Sequence, residues 1–162
     1  MVRDVLPLFI LDDVNAGEHK TGAAGRWWLH HALTMLNKSL DGKLCVMRGD
    51  PVDIIPALVA KVGASGVFWN RCYEPWRIAR DKTIKTKLTD NNIQVESFNG
   101  SLLWEPWTVL KGDGTPYRVF TPFYRRGCLN APSPRLPLAR PEAINLVSVP
   151  DQSLTIDALG LL

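Results

Sequence analysis

Short apolar runs and amphipathic stretches alternate along the first hundred residues of the chain. The apolar runs have the length of strands, and continuous runs of this kind are typical of parallel strands covered on both faces. Between them, apolar residues recur every three or four positions, which places them on one face of a helix. The predicted strands cover 5–11, 44–48, 66–70 and 93–98, and the predicted helices cover 25–40, 53–62 and 75–91. This order predicts an α/β fold, a doubly wound (Rossmann-like) parallel sheet flanked by helices.

Two regions depart from this regular alternation of strands and helices. Pro56 falls within the second predicted helix, where it is tolerated if Asp53 caps the helix and Pro56 lies in the first turn. After residue 100 the pattern changes to a turn at 111–114, two extended pieces at 108–110 and 117–120, and a short helix at 121–126.

The last thirty residues are rich in proline. Five of the chain's twelve prolines lie between 131 and 150, which is typical of an extended linker. The final apolar stretch, Leu154–Leu162, is expected to have nothing to pack against.

Charge and composition exclude few classes of protein. The 19 basic and 16 acidic residues give a net charge of +3, which is too small to indicate a nucleic-acid partner by itself, and no basic stripe stands out. No apolar run is long enough to span a bilayer and no signal peptide opens the chain, so the expected location is the cytoplasm. The three cysteines form no C-x-x-C pair, which predicts neither a disulfide framework nor a zinc site.

The residues that could bind a ligand follow the predicted strands. No nucleotide-binding or hydrolase motif is present, so the general rule applies that open parallel sheets bind ligands beyond the carboxyl ends of their strands. In these places Trp76 offers a ring for stacking, and the hydrogen-bond donors are Arg48, Asn70, Arg71 and Arg77. These residue types alone do not identify the ligand.

Six segments, taken in order, resemble the sequence pattern of the DNA photolyase and cryptochrome family. They span residues 5 to 130 with natural spacing, and the third-strand and fourth-strand blocks are highly specific. The segments are VLPLFILDD (5–13), GRWWLHHAL (25–33), RGDP (48–51), VFWNRCYEPWRIARD (67–81), SFNGSLLWEPW (97–107) and VFTPFYRRG (119–127). The resemblance implies an N-terminal α/β antenna domain over 5–130 and a Pro-rich interdomain linker over 131–162.

The resemblance implies a pigment-binding role without catalytic residues or metal ligands in this chain. The pigment of this family's domain is a reduced folate, a deazaflavin or FMN, and it passes excitation to FAD in a C-terminal helical domain. The reduced flavin then splits a pyrimidine dimer, so damaged DNA is a partner only of the full-length protein. His19 lies in the loop where folate-binding members place a pigment-contacting histidine. Trp76-Arg77 stand where many of those members carry Asn-Glu, which argues against that mode of folate binding.

Two parts of the family pattern have no counterpart in the sequence. One is the opening strand, with its W-F-R-x-D-L-R pattern, and the other is the helical FAD domain. We therefore expect the fragment alone neither to hold FAD nor to repair DNA, and the strands on either side of the absent one to close into a four-stranded sheet. Three functions remain open: the light-harvesting domain of a photolyase, the sensory domain of a cryptochrome, and a pigment-free platform for the flavin domain.

Overall fold

The computed structural model describes residues 4–162, which form an α/β arrangement of short parallel strands and four helices. The strands are β1 (Asp4–Val5), β2 (Leu8–Leu11), β3 (Cys45–Arg48), β4 (Gly66–Asn70), β5 (Gln94–Phe98) and β6 (Asn145–Leu146). The helices are α1 (Ala23–Ser39), α2 (Pro51–Val62), α3 (Pro75–Asp90) and α4 (Phe120–Pro122), and α4 continues as a π turn over Phe123–Gly127 and a 3₁₀ turn over Cys128–Asn130. Further 3₁₀ turns cover Gly17–His19 and Asp157–Leu159. The α/β class and the order of the first elements agree with the sequence prediction.

The described residues divide into two compact units. The smaller unit comprises Phe68–Arg71 and Glu96–Arg140, and the larger unit comprises the remaining segments up to Val67, Cys72–Val95 and Pro141–Leu162. The boundary between the units therefore runs through β4 and β5, and the proline-rich region predicted as one linker contributes to both units.

The strands pair two by two. β2 and β3 are parallel, with Leu8 opposite Cys45 and Leu11 opposite Arg48, and α1 provides the crossover that parallel neighbours require. β4 and β5 form a second pair, and β1 and β6 form a third. The prediction of one four-stranded sheet is wrong for residues 4–162, because no hydrogen-bonded ladder joins the β2–β3 pair to the β4–β5 pair. The predicted strand 5–11 is also divided, since Leu6-Pro7 interrupts it and β1 pairs with β6.

The core of the larger unit includes the end of the chain. The cluster joins side chains from β2, β3, α1 and the last turn, with Leu159 fully buried: Leu11, Leu33, Leu44, Val46, Leu159 and Leu161. Hydrogen bonds also tie the C-terminal segment to β3: Leu154 N–H donates to Val46 C=O at 2.7 Å, and Val46 N–H donates to Ser153 Oγ at 2.9 Å. These bonds occupy the edge of β3 that faces away from β2. The prediction that Leu154–Leu162 has nothing to pack against is therefore wrong.

Helix α2 begins at Pro51, so its cap lies three residues before the predicted cap, Asp53. Asp50 is the cap, and its carboxylate accepts a hydrogen bond from Val52 N–H at 2.9 Å. Pro56 therefore lies inside the helix, where its missing N–H leaves the carbonyl of Val52 without its helical partner. Lys87 Nζ, from α3, lies 3.3 Å from that carbonyl oxygen and donates to it. A side chain of the neighbouring helix thus offsets part of the cost of the proline.

The smaller unit contains more turn than strand. Lys111–Gly114 forms the predicted turn, closed by a bond from Gly114 N–H to Lys111 C=O at 2.9 Å. In the described part of the chain, 108–110 and 117–120 form no strand, so that prediction is wrong. The predicted short helix is present and begins at Phe120.

Candidate functional site at the carboxyl ends of β2 and β3

Two adjacent carboxylates end strand β2 and organise the loop that follows it. The Asp12 side chain is only 5% exposed, and it accepts hydrogen bonds from the backbone N–H of Val14 at 3.1 Å and of Asn15 at 2.9 Å. Burial alone would raise the pKa of Asp12, but the hydrogen bonds from Asn15 and Arg80 and the Arg80 charge lower it on balance. Asp12 is therefore an ionised anchor for the loop.

Arg80 of α3 lies between two carboxylates. Its NH1 atom is 3.0 Å from Asp12 Oδ2, and its NH2 atom is 2.7 Å from Asp81 Oδ1. Desolvation would lower the pKa of Arg80, yet the bonds to Asp81 and Asp12 raise it above its usual value. The guanidinium, 16% exposed, is thus a fixed charge that joins α3 to the end of β2.

Asp13 and Asn15 extend this network to three further elements. Asp13 pairs with Arg26 of α1 at 2.8 Å, and the guanidinium of Arg48, at the end of β3, lies 3.8 Å from Asp13. The Asn15 side chain donates to the capping carboxylate of Asp50 at 2.9 Å. Since all these groups come from strand ends and helix starts, the backbone topology places them at one edge of the β2–β3 pair.

The first turns of α3 present an aromatic ring with two cations. The guanidinium carbons of Arg77 and Arg80 lie 5.0 and 5.4 Å from the centre of the Trp76 ring, within the range of cation–π attraction. Arg77 NH1 also lies 3.4 Å from Cys72 Sγ. Arg77 Nε is shielded from water and makes no hydrogen bond within residues 4–162, although a Glu74 carboxylate oxygen lies 3.7 Å from it. Trp76, Arg77 and Arg80 thus combine a partly exposed aromatic ring with a buried N–H that makes no hydrogen bond among residues 4–162.

Comparison with known proteins identifies the family. The model of the family described as DNA photolyase matches residues 2–142. The chain is 44% identical over 124 residues to a deoxyribodipyrimidine photo-lyase of Agrobacterium fabrum, an alignment that covers 75% of this chain and 25% of that protein. This chain belongs to the DNA photolyase family.

Other relatives place the chain within this family. It is 37% identical over 145 residues to cryptochrome-1 of Arabidopsis thaliana, covering 86% of this chain and 21% of that protein. The crystal structure of a bacterial class III photolyase from Agrobacterium tumefaciens superposes with a TM-score of 0.88 and 35% identity, covering 99% of this chain and 33% of the other. The chain thus corresponds to the N-terminal α/β domain of photolyases and spans about a quarter of these curated relatives. The resemblance inferred from the sequence segments is confirmed.

The structure divides the six predicted pigment-binding residues of this photolyase-family chain between the two units. Trp76 and Arg77 lie together on α3, Arg48 lies beside Asp13, and His19 is exposed at the end of its 3₁₀ turn. Asn70 and Arg71 belong to the smaller unit. Their roles toward a pigment remain predictions.

Both residues of the smaller unit have structural neighbours there. Arg71 pairs with Glu105 at 3.1 Å, donates to Ser97 C=O at 3.0 Å and lies 5.7 Å from the centre of the Trp107 ring. The Asn70 side chain packs so closely on Gly100 that a Cβ there would come within 2.3 Å of it. The FNG segment of the family pattern therefore has a packing reason for its glycine.

Sequence reasoning missed the residues that hold the network together. Asp12, Asp13 and Arg80 were not among the candidate binding residues, although all three lie within the segments that resemble the family. The available signal was a pair of carboxylates directly after a buried strand, a position at which charged groups must find partners. Over residues 4–162, no helix combines the length and the apolar character needed to cross a membrane.

Proposed function

We propose that this chain is the light-harvesting, chromophore-binding domain of a deoxyribodipyrimidine photolyase. Membership of the family supports this proposal, as does the Agrobacterium relative named deoxyribodipyrimidine photo-lyase. The observation that carries it is the Trp76 ring with the Arg77 and Arg80 guanidiniums, set where parallel sheets bind ligands.

The residues at this edge fit a planar conjugated pigment. The partly exposed Trp76 ring offers a face for stacking, and the buried Arg77 Nε–H forms no hydrogen bond with the residues that the structure describes. Arg48 adds a half-exposed guanidinium, which suits a phosphate or carboxylate at the end of a pigment. When bound, a reduced folate, deazaflavin or FMN would supply absorption of light and the excitation energy that is passed on. The protein's own residues would bind the pigment, orient it and exclude water from one of its faces.

The partners of this domain follow from the same proposal. In full-length photolyases the excitation reaches FAD in a C-terminal helical domain, and damaged DNA is bound through that larger protein. We assign FAD, electron transfer and dimer splitting to that domain, and pigment binding to this one. Photolyase is preferred over a cryptochrome photoreceptor because the curated photolyase relative has the higher identity, 44% against 37%.

Pigment retention by the purified chain tests the proposal. The chain would be mixed in turn with methenyltetrahydrofolate, FMN and a deazaflavin, and the bound pigment identified by its absorption spectrum after gel filtration. The double variant Trp76→Ala, Arg77→Ala should bind the retained pigment about tenfold or more weakly, because it lacks both the stacking ring and a charged donor.

A matched control separates binding from folding. Trp28→Ala, Lys38→Ala also removes one exposed tryptophan and one cation, but from α1, and should leave retention unchanged. Equal pigment stoichiometry in the Trp76, Arg77 variant and in the unchanged chain would refute the assignment of this site.

A further inference from the structure

The charges of the chain are divided unequally between its parts. The segments of the smaller unit carry seven basic and three acidic residues, whereas the rest of the chain carries twelve basic and thirteen acidic residues. The contrast is sharpest in 114–141, which contains five arginines and no aspartate or glutamate. The net charge of +3 therefore conceals a locally basic segment.

The same segment exposes a stacked pair of aromatic rings. Phe120 and Tyr124, one helical turn apart, have ring centres 5.9 Å apart and planes inclined by only 6°. The two residues are nevertheless 72% and 47% exposed. Rings that are stacked on each other but open to water offer flat apolar faces to a further planar group.

The turn that carries these rings is anchored in the smaller unit. Gly127 is buried, and a Cβ at this position would come within 2.6 Å of Val109 Cγ1 and 3.1 Å of the Tyr117 ring. Tyr117 also contacts Phe123 edge to face, with ring centres 6.1 Å apart. The exposed rings thus project from a packed base, so a ligand would meet a surface whose backbone is already in place.

Three arginines surround the stacked rings in sequence. Arg118, Arg125 and Arg126 are all exposed, and none of them forms an ion pair with another residue of the described chain. Planar guanidiniums bind phosphate oxygens through two parallel hydrogen bonds. We call Arg118, Phe120, Tyr124, Arg125 and Arg126 the arginine–aromatic surface.

We propose that the arginine–aromatic surface binds single-stranded nucleic acid. Open ring faces suit unpaired bases, which every sequence provides, and exposed guanidiniums on the same short segment suit the phosphates that link those bases. A duplex keeps its bases stacked internally and leaves the rings without partners. An acidic protein surface would pair with the arginines, but its carboxylates would not stack on two parallel ring faces. The inference is independent of the pigment site, because it needs neither pigment nor light.

Fluorescence anisotropy with the purified full chain, in the dark and without pigment, tests this proposal. The probe is a labelled oligothymidylate, titrated at several salt concentrations. Three phosphate contacts predict a slope of log K against log salt of about −2. Phe120→Ala, Tyr124→Ala should weaken binding about tenfold at fixed salt without changing the slope. Arg125→Gln, Arg126→Gln should reduce the magnitude of the slope by about 1.4.

Control substitutions on α1 and α3 test whether binding depends on the arginine–aromatic surface. Trp28→Ala removes an exposed aromatic residue of α1, and Lys82→Gln, Lys85→Gln removes two exposed cations of α3, so both should bind like the unchanged chain. Circular dichroism would verify the fold of every variant. An oligouridylate should bind within a few-fold of the DNA probe, because neither stacking nor phosphate contacts distinguish the sugar.

Four results would overturn the proposal. They are an absence of oligothymidylate binding, affinity for a duplex equal to that for the single strand, equal competition by polyglutamate, and an unchanged affinity in the Phe120, Tyr124 variant. Competition by polyglutamate would assign the surface to an acidic protein partner instead.

Discussion

The two units of this chain use the same residue types in opposite ways. In the larger unit, Arg80 lies between two carboxylates and Leu159 is fully buried. In the smaller unit, Arg125 is exposed without an ion pair among the described residues, and Leu136 is 82% exposed. These two groups of the larger unit are therefore satisfied internally, whereas the two groups of the smaller unit are open to solvent. Residue type alone does not separate a structural arginine or leucine from one that is available to a partner.

Truncating a leucine in each unit should give the largest contrast. Leu159→Ala removes a fully buried side chain from the core cluster and should lower the free energy of unfolding by about 3 kcal/mol or more. Leu138→Ala, in the proline-rich segment, removes a side chain that is already exposed and should change it by less than about 0.5 kcal/mol. Urea denaturation of both variants measures the difference. Similar losses in the two variants would mean that the division into a self-packed and an open unit is wrong.

Several elements were predictable because local pattern determines them. The strand Gly66–Asn70 and the helix from Pro75 to Asp90 match the prediction closely, since a short apolar run and a proline at the first helical position are local signals. The position of Leu159 was not predictable in this way. Whether an apolar stretch at the end of a chain packs depends on contacts with Leu33 and Val46, more than a hundred residues earlier.

The candidate site was predictable only in part, for a related reason. Parallel sheets bind ligands beyond the carboxyl ends of their strands, and this rule identified Trp76 and Arg77 as candidates. The structure places these two residues together. The partner of a buried carboxylate, however, depends on tertiary packing. Asp12 and Arg80 are 68 residues apart in sequence, so no local pattern could pair them.

Replacing two neighbouring arginines of α3 tests the pairing directly, with a smaller expected effect. Arg80→Met leaves Asp12 nearly buried and without its cation, which should cost about 3 kcal/mol of stability. Arg77→Met removes a more exposed guanidinium that has no comparably buried partner, and should cost less than about 1 kcal/mol. Thermal or urea unfolding of the two variants provides the measurement. Equal losses would show that the Asp12–Arg80 pair has no special role in the larger unit.

The pH dependence of stability should show the smallest effect, and its sign follows from the Asp12 environment. The hydrogen bonds from Asn15 and Arg80 outweigh burial, so the pKa of Asp12 in the folded protein lies below its ordinary value of 3.8. A carboxylate of this kind contributes stability that is fully present above the unfolded pKa and is lost as pH falls through the folded pKa. The unchanged chain should therefore lose stability as pH falls below about 4. Asp12→Asn lacks this contribution at every pH.

The difference in stability between the unchanged chain and Asp12→Asn should shrink as the solution becomes acidic. The matched control is Asp113 in the smaller unit, whose pKa is also lowered, by hydrogen bonds from the Thr115 side chain and backbone. The expected pH dependence has the same sign as for Asp12, but the Asp113 carboxylate is exposed. Solvent screening should therefore leave the stability difference between the unchanged chain and Asp113→Asn nearly independent of pH. Urea unfolding of both variants from pH 7 down to 3 measures the two differences. A constant difference for Asp12→Asn over this range would mean that its carboxylate is not held in the ionised form by Asn15 and Arg80. A larger pH dependence for Asp113→Asn would reverse the contrast between a charge network satisfied inside the larger unit and one exposed on the smaller unit.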